Sequence, residues 1–280
     1  MGQGGGMKKG DRIPTQWECR VGMPLQSFDT GPMPAHGPTS VAAADRVLHV
    51  LALLAQQGQP MSAAELMEAT GLARSTLYRQ LARLKLWGFV LESNGHYAPG
   101  PLSLQLALGF DLASHLVHQA RPDMQALARQ SNESVGLVVA VNDSVVCLDM
   151  VDSTQALRCS FEKGRSVPLR SGASAKCLLA HLAPAARGAL LDLHYGDDPA
   201  RRQAAQDELD AIAKAGYAVS SGEVDAGVWG VSVPVFGSPR QAAGAITLMA
   251  PILRAQGQEA ALTGMAVVAA ARISRQLTSP

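Results

Sequence analysis

At 280 residues the chain is long for one domain, and 47% hydrophobic content is enough to build a core in each of two. A formal net charge of +1 excludes a uniformly basic nucleic-acid binder, so any phosphate-facing surface has to be local. Four scattered cysteines (Cys19, Cys147, Cys159 and Cys177) form no CxxC pair and match no zinc spacing, which predicts reduced thiols in a cytoplasmic protein. No apolar run approaches the ~20 residues of a membrane-spanning helix, and no apolar segment follows Lys8 and Lys9 as in a signal peptide.

Residues 1–39 are rich in Gly, Pro and polar side chains and have too little apolar surface to offset the entropy of ordering, which predicts a disordered tail. Met7, Met23 and Met33 are alternative translation starts, leaving open that part of this segment is a start-site artefact.

Helical periodicity begins at Val41. Ala44, Val47, Leu48, Leu51, Leu54 and Ala55 predict an amphipathic helix that Gly58 and Pro60 break. Ser62 followed by Glu65 is a capping-box pattern opening a short helix to Thr70-Gly71. A third helix is predicted from Arg74 to Trp87, with Leu77, Leu81 and Leu84 inward and Gly88 ending it. Residues 89–92 and 96–98 flank Ser93-Asn94-Gly95 as a strand, tight turn and strand. Helix, helix, turn, helix, hairpin over residues 40–100 is the order of a winged helix-turn-helix.

The second helix of that motif enters the major groove, and here its start reads Ala73-Arg74-Ser75-Thr76-Leu77-Tyr78-Arg79-Gln80. Hydroxyl, amide and guanidinium groups stand where base edges and phosphates present acceptors and donors. Arg74, Arg79, Arg83 and Lys85 bring four positive charges with no acid among residues 73–86. With Ser62, Asn94 and His96, the residues Arg74, Ser75, Thr76, Tyr78, Arg79 and Arg83 form the candidate DNA-facing set. Each alone has a plainer reading: an arginine face is usually solvated, Ser75 and Thr76 could be simple caps, and Tyr78 could be core. The conjunction favours double-stranded DNA.

Pro99 and Pro101 end this unit. Residues 102–118 predict one long helix, within a linker over 101–121, and Pro122 is expected to start the next helix, to about Asn132, and with it a second domain over 122–280. Beyond lies a mixed pattern: strands at 134–141 and 145–151 joined at Asn142-Asp143, a third strand at 156–160, helices at 173–182 and 199–214, strands at 228–236 and 243–250, and a final helix over 258–277.

The phrases TGLARSTLYRQLARL, GFV and NGHYAPGP, then SVPLRSGASAKCLLAHL, AGYAVSSGEVDAGV and PVF, occur in the order and spacing of the IclR family of bacterial transcription regulators. The chain resembles that family from Val41 to its C-terminus. The resemblance implies an α+β protein: a winged helix-turn-helix domain, a linker helix, and a GAF-like α/β effector-binding domain. It also implies homodimers or dimers of dimers on a palindromic operator. Departures from the family pattern are specific. Tyr78 replaces the usual His, and His96 and Ala98 make the wing less basic. Arg170 stands where a His is common, Ala175 replaces the Gly before Lys176, and Trp229-Gly230 replace a basic residue and a Cys or Ser. By the resemblance, an effector would sit among Met150, Arg170, Ser171, Gly172, Ser174, Trp229, Ser232 and Met249, a set that suits a small carboxylic acid, aromatic bodies included. The plainer reading makes the methionines core fillers, Arg170 a solvent-facing residue and Trp229 a packing residue.

Two rival readings stand beside this one. An enzyme would need more than His115 and His118 one turn apart or Lys176 beside Cys177; GxSxG and GxxxxGK[ST] motifs are lacking, and no motif asks for a metal or cofactor. The other rival is a DNA-binding regulator without an effector, whose C-terminal domain serves only oligomerisation; in the leading reading the regulator is more readily a repressor, its operator affinity controlled by the acid.

Overall fold

The computed structural model describes residues 43–238 and 241–278. The expectations for the 1–39 tail, the alternative starts and Cys19 lie outside the described residues.

The N-terminal module runs α1 (Ala43–Gln57), β1 (Met61–Ser62), α2 (Ala63–Thr70), α3 (Arg74–Leu86), β2 (Val90–Ser93) and β3 (His96–Pro99). The strands pair antiparallel in the order β1-β3-β2. Asn94 and Gly95 both adopt positive φ, 51° and 76°, as a two-residue turn matched to strand twist requires. The core is formed by Val50, Leu54, Leu66, Leu77, Leu81, Leu84, Val90 and Tyr97, and burying each aliphatic side chain contributes about 1.5–3 kcal/mol.

The face of α1 differs from expectation. Val50 and Leu54 are fully buried while Leu48 is 61% exposed, and Ala44 and Ala55 are also exposed. The helix turns its Val47-Val50-Leu51-Leu54 row toward the core, a row containing no alanine and so burying more apolar surface than the Ala44-Leu48-Ala55 row.

After the wing come α4 (Pro101–Ala113) and α5 (His115–Ser131). The single helix expected over 102–118 is broken at Ser114, whose ψ of 95° is non-helical and whose side chain caps α5 through the Val117 N–H. Pro122 lies inside α5 rather than before it, and the expected boundary between residues 121 and 122 falls within this helix. One proline costs one backbone hydrogen bond, and the burial of Leu116, Val117, Ala120, Met124, Leu127 and Ala128 on one side of α5 outweighs it.

The C-terminal module continues with β4 (Ser134–Val141), β5 (Ser144–Val151), β6 (Ser166–Pro168), α6 (Ala173–Ala180), α7 (Pro184–Tyr195), α8 (Pro199–Ala215), β7 (Ala218–Ser221), β8 (Val228–Ser238), β9 (Gln241–Pro251), α9 (Ile252–Ala255) and α10 (Glu259–Thr278). Its six strands form one antiparallel sheet in the order β6-β5-β4-β9-β8-β7. No strand forms at 156–160. The outer edge of β5 pairs instead with β6 and residues 164–165, and the Leu157 carbonyl is taken by Arg254. The strand β7 and helix α7 have no counterpart in the sequence reading.

Both faces of the sheet are covered. On one, Val135, Leu137, Trp229, Val231, Val233, Ile246 and Leu248 meet α5 and α10. On the other, Val138, Val145 and Ala245 meet α6, with α7 and α8 behind it. The chain is therefore α+β, a winged helix-turn-helix followed by a curled sheet between helical layers.

Candidate functional site

Two sites emerge. In the N-terminal module the hydroxyl of Ser62 accepts the Glu65 N–H at 3.3 Å, and Glu65 in turn accepts the Ser62 N–H at 2.7 Å, so Ser62 serves as the cap of α2. The carboxyl of Glu65 is held below its usual range, first by that backbone N–H and then by the Ser62 hydroxyl. Gly71, in the left-handed conformation, turns the chain into α3.

Helix α3 buries Leu77, Gln80, Leu81 and Leu84, leaving Arg74, Ser75, Tyr78, Arg79 and Arg83 exposed on its opposite face and Thr76 half-buried. The Arg74 guanidinium lies 5.6 Å from the Tyr78 ring centroid, which braces an aromatic and a cation side by side on that face. Two expectations change. Gln80 belongs to the core, because its place in the heptad is the inner one between Leu77 and Leu84. Lys85 is ion-paired with Glu92 of the wing, so the free positive excess of this face is three arginines, not four cations. Asn94 and His96 are exposed at the wing, where His96 Nδ1 lies 3.2 Å from the Asn94 carbonyl.

The second site is a narrow cavity, ≈ 40 Å³, between the N-terminus of α6, the segment joining β7 to β8, and the sheet face. Ser171, Gly172 and Ser174 line it from α6 and the turn before it, Thr247 and Met249 from β9, Gly230 from β8, and Ser220, Glu223, Val224 and Asp225 from across the opening. Ser174 and Thr247 hydroxyls are 2.9 Å apart, and Thr247 donates to Ser232 at 3.0 Å. Ser232, fully buried, thus stands behind Thr247 as its support. Cys177, also buried here, has its thiol pushed up to about 12 by burial, which makes it inert packing.

Two N–H groups at the start of α6 already have partners. The Gly172 N–H donates to a Glu223 carboxylate oxygen at 3.0 Å, and the Ala173 N–H donates to the Ser220 hydroxyl at 2.9 Å. The other Glu223 oxygen pairs with Lys176 at 2.7 Å, and Lys176 also pairs with Glu208 at 2.8 Å. Gly172 has a φ of 88°, and a Cβ there would lie 2.6 Å from a Val224 methyl, so only glycine fits.

The expected pocket set divides accordingly. Ser171, Gly172, Ser174 and Met249 line the cavity. Met150 does not line it but lies on the same sheet face two strands over: its sulfur and the Met249 methyl both approach the place where a Gly136 Cβ would stand. Arg170 and Trp229 are elsewhere. Arg170, in the turn at residues 169–170, is exposed, with its guanidinium 5.6 Å from the centroid of the Tyr195 ring of α7. Trp229 is 5% exposed among the residues meeting α5 and α10, since strand alternation puts it with Val231 and Val233 and puts Gly230 on the cavity side. Sequence reasoning missed Ser220, Glu223, Asp225 and Thr247, and marked Gly230 only as a departure from the family pattern; the only signal for the first three was the phrase AGYAVSSGEVDAGV.

Residues 43–92 match the IclR helix-turn-helix domain, and residues 112–275 match the bacterial transcriptional regulator IclR C-terminal domain. An HTH-type transcriptional regulator of Mycobacterium tuberculosis, Rv1719, is 32% identical over 232 residues, 80% of this chain and 86% of that protein. The acetate operon repressor of Salmonella typhimurium is 25% identical over 243 residues, 83% and 88% of the two chains. A crystal structure of an IclR homolog from Microbacterium hydrocarbonoxydans complexed with 4-hydroxybenzoate superposes with a TM-score of 0.63, covering 84% of this chain and 99% of that one at 22% identity, which bears on the fold alone. No helix among the described residues is long and apolar enough to cross a membrane. Both matched modules are those of transcription regulators rather than enzymes, and the chain belongs to the IclR family of DNA-binding bacterial transcription regulators.

Proposed function

We propose that the chain is a ligand-responsive repressor that binds a palindromic operator as a homodimer or dimer of dimers in the cytoplasm. The DNA-facing set is the exposed row of α3, Arg74, Ser75, Tyr78, Arg79 and Arg83, with Thr76 at its margin and Asn94 and His96 on the wing. Self-association is supported by α4, whose Leu104, Leu106 and Leu108 are 63%, 58% and 56% exposed in a single copy. Repression is supported by likeness to the acetate operon repressor.

The observation that carries the ligand half is the hydroxyl-lined cavity beside the α6 N-terminus. The effector in this reading is a small organic acid, in keeping with the 4-hydroxybenzoate held by the Microbacterium homolog. Its carboxylate would meet hydroxyls and the α6 N–H groups in place of the Arg170 contact, which is too far round the turn to serve. An aromatic body needs more room than the cavity now offers, since a cavity that accepts benzene measures about 150 Å³.

A ligand-free regulator is the second reading. It is favoured by one observation: Glu223 and Ser220 already occupy two of the N–H groups at the α6 N-terminus, those of Gly172 and Ala173. Thermal-shift measurements with short aliphatic and aromatic acids at millimolar concentration separate the two. Stabilisation that Ser174→Ala abolishes supports ligand sensing; no stabilisation by any acid supports the ligand-free reading.

A further inference from the structure

Beside the narrow cavity lies a broader groove, ≈ 580 Å³, walled by Leu157, Arg158, Phe161, Pro251, Ile252 and Leu253. The two share Phe161, Asp225, Val228 and Met249 as wall residues. Residues 222–227 cross this shared boundary: Glu223 and Val224 face the cavity, Asp225 faces both spaces, and Ala226 and Gly227 line the groove. The segment is pinned to α6 at three points, by Glu223 on the Gly172 N–H, by Glu223 on Lys176, and by the Val224 methyl lying against Gly172. Glu208 anchors Lys176 from α8, so the pin is tied to a second helix.

We infer that residues 222–227 are a strap latched by Glu223, and that its release joins cavity and groove into one chamber, so that Glu223 sets the size of ligand admitted. The inference rests on the ligand-sensing reading. Affinity for a large ligand then carries the penalty of opening the strap, because only the open fraction binds it. A ligand small enough for the closed cavity escapes that penalty.

The test is a backbone-amide chemical-shift titration of the full chain with two uncharged probes, acetamide and benzamide, and with benzoate. Wild type, Glu223→Gln and Lys176→Met are compared, the second variant breaking the latch while keeping the Glu223 charge. In both variants benzamide should bind at least about tenfold more tightly, and acetamide should gain less than about threefold; benzoate should follow benzamide in Glu223→Gln, and in Lys176→Met it should lag because the cation is gone. A gain confined to benzoate in Glu223→Gln would reflect relief of charge repulsion and would overturn the latch. Equal gains for acetamide and benzamide would overturn it too, since size would not matter. Binding that ignores both variants sinks the latch alone, whereas no binding of any probe to any of the three proteins sinks the ligand-sensing reading beneath it. Retained amide dispersion outside residues 170–176 and 218–228 controls for folding.

Discussion

Arg121 in α5 donates from one guanidinium nitrogen to both carboxylate oxygens of Asp149 in β5, at 2.8 and 2.7 Å. Asp149's side chain is 4% exposed and Arg121's is 50% exposed, so the acid is the buried partner and the guanidinium brings its charge in from the surface. This pair ties the helix that follows the DNA-binding module and α4 to the strand whose next residue, Met150, shares the cavity's sheet face and meets Met249 over Gly136. Arg121→Met should leave a buried carboxylate without its donor and cost about 1.5–3 kcal/mol of domain stability, the upper part of the range being damped by solvent at the half-exposed arginine. Denaturant melts of the two proteins check this. An unchanged midpoint would show that water replaces the guanidinium at no cost.

Arg79 stands on the exposed row of α3, one turn beyond Ser75 and one before Arg83. Arg79→Ala should weaken operator binding by about 1–3 kcal/mol if the side chain meets a base edge. If it meets phosphate, the loss should be uniform across DNA sequences and the salt slope should fall by about one. Anisotropy titrations on operator and unrelated DNA at several salt concentrations separate these outcomes, and unaltered binding to both would remove Arg79 from the interface.

The ion pair between Lys85 and Glu92 neutralises a cation at the base of the wing. Glu92→Gln should free Lys85 for phosphate, raising non-specific DNA affinity and steepening the log–log salt dependence by about 0.9. A slope equal to that of the wild type would mean Lys85 does not reach the backbone.

The capping box of α2 has a definite pH signature. Glu65's carboxyl lies below its usual value near 4.5 in the folded protein, because of the Ser62 N–H first and the Ser62 hydroxyl second. A group whose folded value is depressed contributes stability that is present in full above its unfolded value and is lost as pH falls through the folded one. The contribution is therefore complete at neutral pH and fades below about pH 4.5. Glu65→Gln should flatten that part of the acid limb, and Ser62→Ala should cost about 0.5–2 kcal/mol at pH 7. Thermal melts between pH 3 and 7 test both, and parallel acid limbs in wild type and Glu65→Gln would rule the cap out as their source.

The DNA-binding module was legible because its signals are local. Leu77, Leu81 and Leu84 mark one face of α3, Asn94-Gly95 marks the turn, and Ser62 with Glu65 marks a cap, each within a few residues. What failed there depended on packing: Leu48 and Val50 are two steps apart on α1, and only contact with α2, α3 and β3 decides which faces in. Lys85 looked free because Glu92 lies beyond the helix end, seven residues on.

The cavity was less legible for the same reason on a larger scale. Ser171, Gly172 and Ser174 lie on one short stretch and were found together. Glu223 meets Gly172 across 51 residues, and Thr247 meets Ser174 across 73, separations that leave no periodic trace. Trp229 misled because both faces of β8 are buried, so polarity does not announce which side holds the larger residue. Arg170 misled because its partner, Tyr195, belongs to α7, a helix whose Ala- and Gly-containing sequence hid it.

The most direct measurement of the central claim is operator binding by the full chain. DNA from either side of its own gene is titrated with wild-type protein and with the combined Arg74→Ala, Arg79→Ala, Arg83→Ala variant. Wild type should bind one palindromic fragment at least about a thousandfold more tightly than unrelated DNA, and the folded triple variant should fall to the non-specific level. Equal affinity of the two proteins for that fragment would contradict the assignment of α3 as the reading helix.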